Sequence, residues 1–86
     1  MAKIVEFTGS PKEFGFSKKE FFLEKIKPYG FEHGKMSKRN NTCDILCCAE
    51  KTSGSAKLKL AEELGVEILT YGELAGLLGI EDEVDL

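Results

Sequence analysis

The chain has 86 residues, 42% of them hydrophobic and 31% charged, with a formal net charge of −3. That length gives one compact domain with a modest core, and no stretch approaches the roughly 20 apolar residues of a membrane span. The N-terminal MAKIVEFTGSPKE lacks the apolar run and small-residue cleavage site of a secretory leader, so a cytoplasm-like compartment and no membrane partner are expected.

KIVEF (3–7) is rich in β-formers and stops at Thr8-Gly9, which predicts a first strand. After the loop GSPKEFGF, Ser17 and Glu20 form a capping-box pattern, and Phe22, Ile26 and Tyr29 recur at helical spacing. A first helix is predicted from near Lys18, closed by Pro28 and Gly30. Phe14 and Phe16, in the preceding loop, read as folding back onto the core, with an apolar contact to a partner as the alternative. FEHGK (31–35) reads as a short second strand and MSKRNN as an exposed polar loop. CDILCCA (43–49) is apolar without helical period and short enough for a buried third strand. A second helix follows SGS, with Leu60, Ala61 and Leu64 on one face and Gly65 as its stop. VEIL (66–69) is a fourth strand. Thr70 and Glu73 make another capping box, opening a third helix with Leu74, Leu77 and Leu78 inward.

This order, β-α-β-β-α-β-α with short connections, predicts an α/β fold: a central four-stranded, mainly parallel sheet flanked on both faces by three helices. If the first helix carries the chain to strand two on one side of strand one and strand three lies on the other, giving the order 2-1-3-4, a topological switch point opens between strands one and three. The N-termini of the first two helices then point to one crevice. Thr8, Gly9, Ser10, the Lys18-Lys19 pair and Lys57 gather there, and they are the parts of a phosphate site: a hydroxyl, a glycine that admits a ligand to the backbone, free helix amides and positive charge. Lys57 raises its own question. A lysine in a helix's first turn faces the positive end of the dipole, at a cost of roughly 0.3–1 kcal/mol, so something negative is expected nearby. Lys57 also reads as an ordinary exposed lysine, Thr8-Gly9 as a simple turn, and Ser10 and Ser55 as caps. Lys18, Lys38 and Arg39 read as solvated charges or as followers of a nucleic-acid backbone.

All twelve Lys and Arg lie in residues 1–59 with seven acids, whereas residues 60–86 hold eight acids and no base. The basic portion permits a local anion site while the acidic GIEDEVDL end limits non-specific binding. Cys43, Cys47 and Cys48 are too few and too tightly clustered for a disulfide framework. In an extended strand Cys43, Ile45 and Cys47 face one side and Asp44, Leu46 and Cys48 the other, so no metal site is expected and the cysteines are read as small core hydrophobes. No GxGxxG or GxxxxGK[ST] is present, and the one histidine, His33, has no nucleophile motif around it, so independent catalysis is not expected.

At these residues the sequence resembles the BRCT domain, in particular the type at the C-terminus of bacterial NAD-dependent DNA ligases and in the large subunit of the eukaryotic clamp loader. FTGS looks like the family's strand-one ending, SKKEFFLEKIKPYG its first helix, MSKRNNTCDILCCAE its Val-Ser-Lys-Lys-Thr-x-x-Leu-Val stretch, and GSAKLKLAEELGVEIL its Gly-Ser-Lys-Leu-x-Lys-Ala-x-x-Leu-Gly-x-x-Ile stretch. The resemblance runs from Val5 to about Leu78 and implies a phosphate site on Thr8, Gly9 and Lys57, with Lys19 standing where the ligase-like branch has an arginine. Ser10, Lys18 and Ser55 are accessory to it. Phe31 stands where the family has a small residue, and KRNNT carries two extra residues.

The expectation is a BRCT-like domain over residues 1–80 with an acidic C-terminal tail, 81–86. It needs no cofactor and recognises a phosphate on a DNA 5′ end or on a partner protein of DNA replication or repair. The setting implied is the cytoplasm in a bacterium or phage, and the nucleus in a eukaryote. The alternative is a phosphate-independent scaffold, such as the C-terminal module of a DNA ligase, nuclease or polymerase subunit.

Overall fold

The computed structural model describes residues 2–52 and 54–85, so Met1, Ser53 of the SGS stretch and Leu86 of the acidic end lie outside the described residues. Among the described residues are four strands, β1 (Lys3–Thr8), β2 (Phe31–His33), β3 (Ile45–Cys48) and β4 (Glu67–Thr70), and three α-helices, α1 (Lys19–Ile26) between β1 and β2, α2 (Ala56–Leu64) between β3 and β4, and α3 (Tyr71–Leu78) after β4. All strand pairings are parallel and the order is β2-β1-β3-β4, as expected. The chain steps from β1 outward to β2 through α1, then back past β1 to β3, and on to β4 through α2. Steps in opposite directions need opposite faces if each crossover is right-handed. Accordingly Phe22 and Ile26 of α1 pack with Val5, Phe7, Ile45 and Cys47 on one face, joined there by Tyr71, Leu74 and Ala75 of α3. Leu58 and Ala61 of α2 pack with Leu46 and Cys48 on the other.

The α1–α3 face is the larger core and is built on aromatic rings. Phe16 and Phe22 meet edge to face at 4.9 Å, and Phe22 meets Tyr71 in the same way at 5.1 Å. Such contacts add about 0.5–1.5 kcal/mol each beyond the area they bury. Phe16 is fully buried and Phe14 packs against the same cluster, as the sequence predicts.

Helix ends follow local chemistry. The Thr70–Glu73 capping box is formed, Ser55 caps α2 by accepting from the Leu58 N–H at 3.2 Å, and Gly65 closes α2 in the left-handed conformation. The Ser17–Glu20 box is not formed. Lys18 is the residue that precedes α1, and it makes no side-chain cap. Ser17 instead donates its N–H to Asp85 Oδ1 at 2.6 Å and its hydroxyl to Asp85 Oδ2. The acidic end is therefore not a free tail. Ile80 is fully buried, the Asp85 N–H donates to the Gly15 carbonyl at 2.9 Å, and any Cβ at Gly15 would overlap Val84, which holds residues 80–85 along the loop before α1.

Three further expectations are corrected by the packing. Tyr29 lies beyond α1 in a 3-10 turn over Lys27–Tyr29 and is 50% exposed. Cys43 precedes β3 and packs with Leu46 and Cys48, not on the Ile45–Cys47 side, because strand alternation starts only at Ile45. In α3, Leu74 and Ala75 turn inward, Leu78 is half-buried and Leu77 is 73% exposed: the buried stripe runs through 71, 74, 75 and 78, and position 77 falls outside it. The two leucines separate accordingly. Leu74→Ala should lower stability by about 2–5 kcal/mol, and Leu77→Ala by less than about 0.5 kcal/mol, in urea denaturation followed by far-UV circular dichroism.

Candidate functional site

β2 ends at His33, which pairs with Val5, whereas β1 continues to Thr8. The N–H and C=O of Phe7 project past the end of β2, and two side chains take the place of a strand. Phe7 N–H donates to Glu6 Oε1 at 2.9 Å, and Phe7 C=O accepts from Lys57 Nζ at 2.9 Å. Glu6, only 6% exposed, also has its Oε1 3.3 Å from His33 Nε2 and 3.6 Å from Lys57 Nζ. Lys57 reaches this point from the first turn of α2, so the negative partner its position calls for is Glu6.

Burial alone would raise the Glu6 pKa. The Phe7 N–H, His33 and the Lys57 charge outweigh burial and hold the carboxyl below the ordinary glutamate range. The folded state thus favours the carboxylate, and its contribution is full above the unfolded pKa and lost as pH falls through the folded one.

Thr8 and Gly9 end β1 at the same edge. Gly9 has φ +78°, and a Cβ there would come within 2.8 Å of the Ala49 Cβ, so both conformation and space require glycine. The Tyr71 hydroxyl donates to the Gly9 carbonyl at 2.9 Å and fixes the turn from the core side. Gly9, Ser10 and Pro11 then form one wall of an open cleft, and Lys18, Lys19 and Glu20 form the other. Phe22 N–H to Lys18 C=O, 3.1 Å, is the first bond of α1, so the amides of Lys19, Glu20 and Phe21 precede the helical ladder. An uncapped N-terminus beside two lysines is suited to an anion.

The predicted residues are therefore only partly gathered. Gly9, Ser10, Lys18 and Lys19 share the cleft, although the Ser10 hydroxyl also accepts from the Lys12 N–H at 3.3 Å. Thr8 lies on the other side of Gly9, in a small hollow with Cys48, Ala49 and Glu50. Lys57 stands at Phe7, one residue short of Thr8, with its ammonium shared by a carbonyl and a carboxylate. Ser55 is not part of the cleft; its hydroxyl caps α2. Glu6, His33 and Glu20 are site residues that the sequence reading passed over. One signal for Glu6 was present: an acid inside an otherwise apolar strand, to be matched with a lysine in a helix's first turn.

The cysteines supply no reactive thiol. Cys47 and Cys48 are fully buried on opposite faces of β3, and burial raises both thiols above the ordinary range, so neither is a thiolate at neutral pH. Among the described residues no group of three His, Cys, Asp or Glu side chains converges on a point that could hold a metal ion, and no helix is long and apolar enough to cross a membrane.

Compared with protein-family models, with curated proteins and with solved structures, the chain matches none of them.

The Glu6 network has a measurable signature. Glu6→Gln should lower stability at pH 7 by about 1–3 kcal/mol, and between pH 6 and pH 3 its urea midpoint should fall less steeply than the wild type's, since the depressed pKa is no longer there to titrate. Equal slopes would show that Glu6 does not drive the acid loss.

Proposed function

We infer that this chain is a BRCT-like phosphate-recognition module of DNA replication or repair, binding the phosphate of a DNA 5′ end or of a phosphorylated partner protein. The observation that carries this reading is the cleft in which the left-handed Gly9 turn, the uncapped N-terminus of α1 and Lys18-Lys19 meet. In it the Gly9 and α1 amides donate to phosphate oxygens while Lys19 and Lys18 supply charge. Lysine is a point charge here, without the two-pronged fit of an arginine. Lys57 has three N–H donors, of which one is held by the Phe7 carbonyl and the charge is drawn towards Glu6, so it contributes mainly field at the rim. Thr8, in the hollow on the other side of Gly9, makes no contact in this cleft. No cofactor enters this chemistry.

Glu20 borders the same cleft and opposes an anion. Binding is therefore a balance of local charges, with net charge −3 against it. A phosphate-independent scaffold is the second reading; it would place Leu77, a large apolar side chain exposed on α3, at the contact.

Fluorescence anisotropy separates the two. Probes bearing a phosphate (a duplex with a recessed 5′-phosphate, and a phosphoserine peptide) are compared with their unphosphorylated forms. The phosphate should strengthen binding of at least one probe. Lys19→Ala should remove about tenfold of it, Lys57→Ala should weaken it further, and Glu20→Gln should tighten it. If phosphate makes no difference to either probe, the phosphate reading fails and the scaffold reading replaces it.

A further inference from the structure

Next to the phosphate cleft lies a separate cavity of about 180 Å³, lined by Glu6, Phe7, Lys19, Glu20, Leu23 and His33. It shares Lys19 and Glu20 with the cleft, so the two are neighbours divided by the first turn of α1. We propose that this cavity takes the side chain of a lysine or arginine next to the phosphorylated residue, which makes the ligand of this face a phosphoprotein segment with a basic neighbour. The proposal rests on the phosphate reading and names its ligand class.

Three observations carry it. The first is an oxygen without a partner. Phe7 N–H, His33 and Lys57 all approach Glu6 through Oε1, and among the described residues no hydrogen bond reaches Oε2. Among the described residues no side-chain polar atom is both sealed from solvent and unpaired, so Oε2 is not wholly sealed although Glu6 is only 6% exposed. Glu6 lines the cavity, and a carboxylate oxygen left without a donor there accepts more strongly from a cation than from a neutral group.

The second is the form of the walls. The His33 ring stacks on Phe7 at 5.7 Å and 11°, and Leu23 adds an aliphatic surface, with a second carboxylate, Glu20, beside them. Apolar sides with acidic groups fit a side chain whose stem is methylene and whose head is charged. At this size the cavity lies below the roughly 300–1,000 Å³ of small-molecule sites, so it holds one side chain and not a nucleotide or cofactor.

The third is the sign of the surroundings. Glu6 and Glu20 set two carboxylates on the lining of the cavity against one cation, the Lys19 that it shares with the cleft. A DNA strand extends negative charge away from its terminal phosphate and meets these groups; a peptide with one phosphate and one adjacent cation matches both signs.

The test uses the full chain and a library of peptides with fixed phosphoserine or phosphothreonine and degenerate flanking positions, alongside the 5′-phosphorylated duplex. Lys or Arg should be enriched about five- to tenfold over Ala at one flanking position. Glu20→Gln, an exposed change compatible with folding, should reduce that enrichment while tightening binding of the phosphate itself; Glu6→Gln should abolish the enrichment. Phosphopeptide binding without basic preference overturns the cavity assignment and leaves the phosphate cleft standing. Preference for the phosphorylated duplex over every phosphopeptide overturns it likewise. Loss of phosphate dependence with all probes removes both readings.

Discussion

The site depends on a difference in strand length. β2 stops at His33 while β1 runs on to Thr8, so the Phe7 peptide has no strand to bond on that side. A buried backbone donor or acceptor left unpaired costs about 1–3 kcal/mol, and here the Glu6 carboxylate and the Lys57 ammonium satisfy one group each. This substitution lets β1 stand clear of its neighbour. It also brings a buried carboxylate to the C-terminal edge, places His33 against it, and draws the first turn of α2 towards the end of β1, opposite the first turn of α1. The clefts on either side of the α1 N-terminus are consequences of that edge.

Lys57 and Lys19 accordingly do different work. Lys57 belongs first to the fold: its bond to Phe7 spans 50 residues of chain and ties α2 to β1. Lys19, exposed in the first turn of α1, has no such duty, and it borders both clefts. Acids alternate with these lysines around the edge, so the face reads as a pattern of paired signs and not as a basic patch. Such a pattern selects among ligands more than it attracts them.

The four strands, the three helices and the inward packing of Phe16 and Phe22 were legible because each rests on local signals. The apolar run at 43–49, the glycines that stop helices and the Thr70–Glu73 cap need no knowledge of distant contacts. What was hidden depends on chain remote in sequence. Ser17 looks like a helix cap until Asp85, 68 residues away, claims its hydroxyl and amide. The acidic end looks like a solvated tail until Ile80 fills the core and Val84 fits over Gly15. Among the candidate residues, Gly9, Ser10, Lys18 and Lys19 could be brought together by topology alone. The share of Lys57 taken by Phe7 and Glu6 could not, since it follows from β2 ending early, and strand ends are set by pairing, which the one-dimensional pattern does not encode.

The most direct measurement of the central claim is a ¹H–¹⁵N correlation spectrum of the full chain titrated with a phosphoserine peptide and with the same peptide unphosphorylated. A phosphate held at this edge predicts saturable shifts of the Gly9, Ser10, Lys19 and Glu20 amides with the phosphorylated peptide alone, while Gly30 and Phe31, at the opposite end of the sheet, stay in place. Identical responses to the two peptides, or shifts centred away from the Gly9 turn and the start of α1, would contradict it.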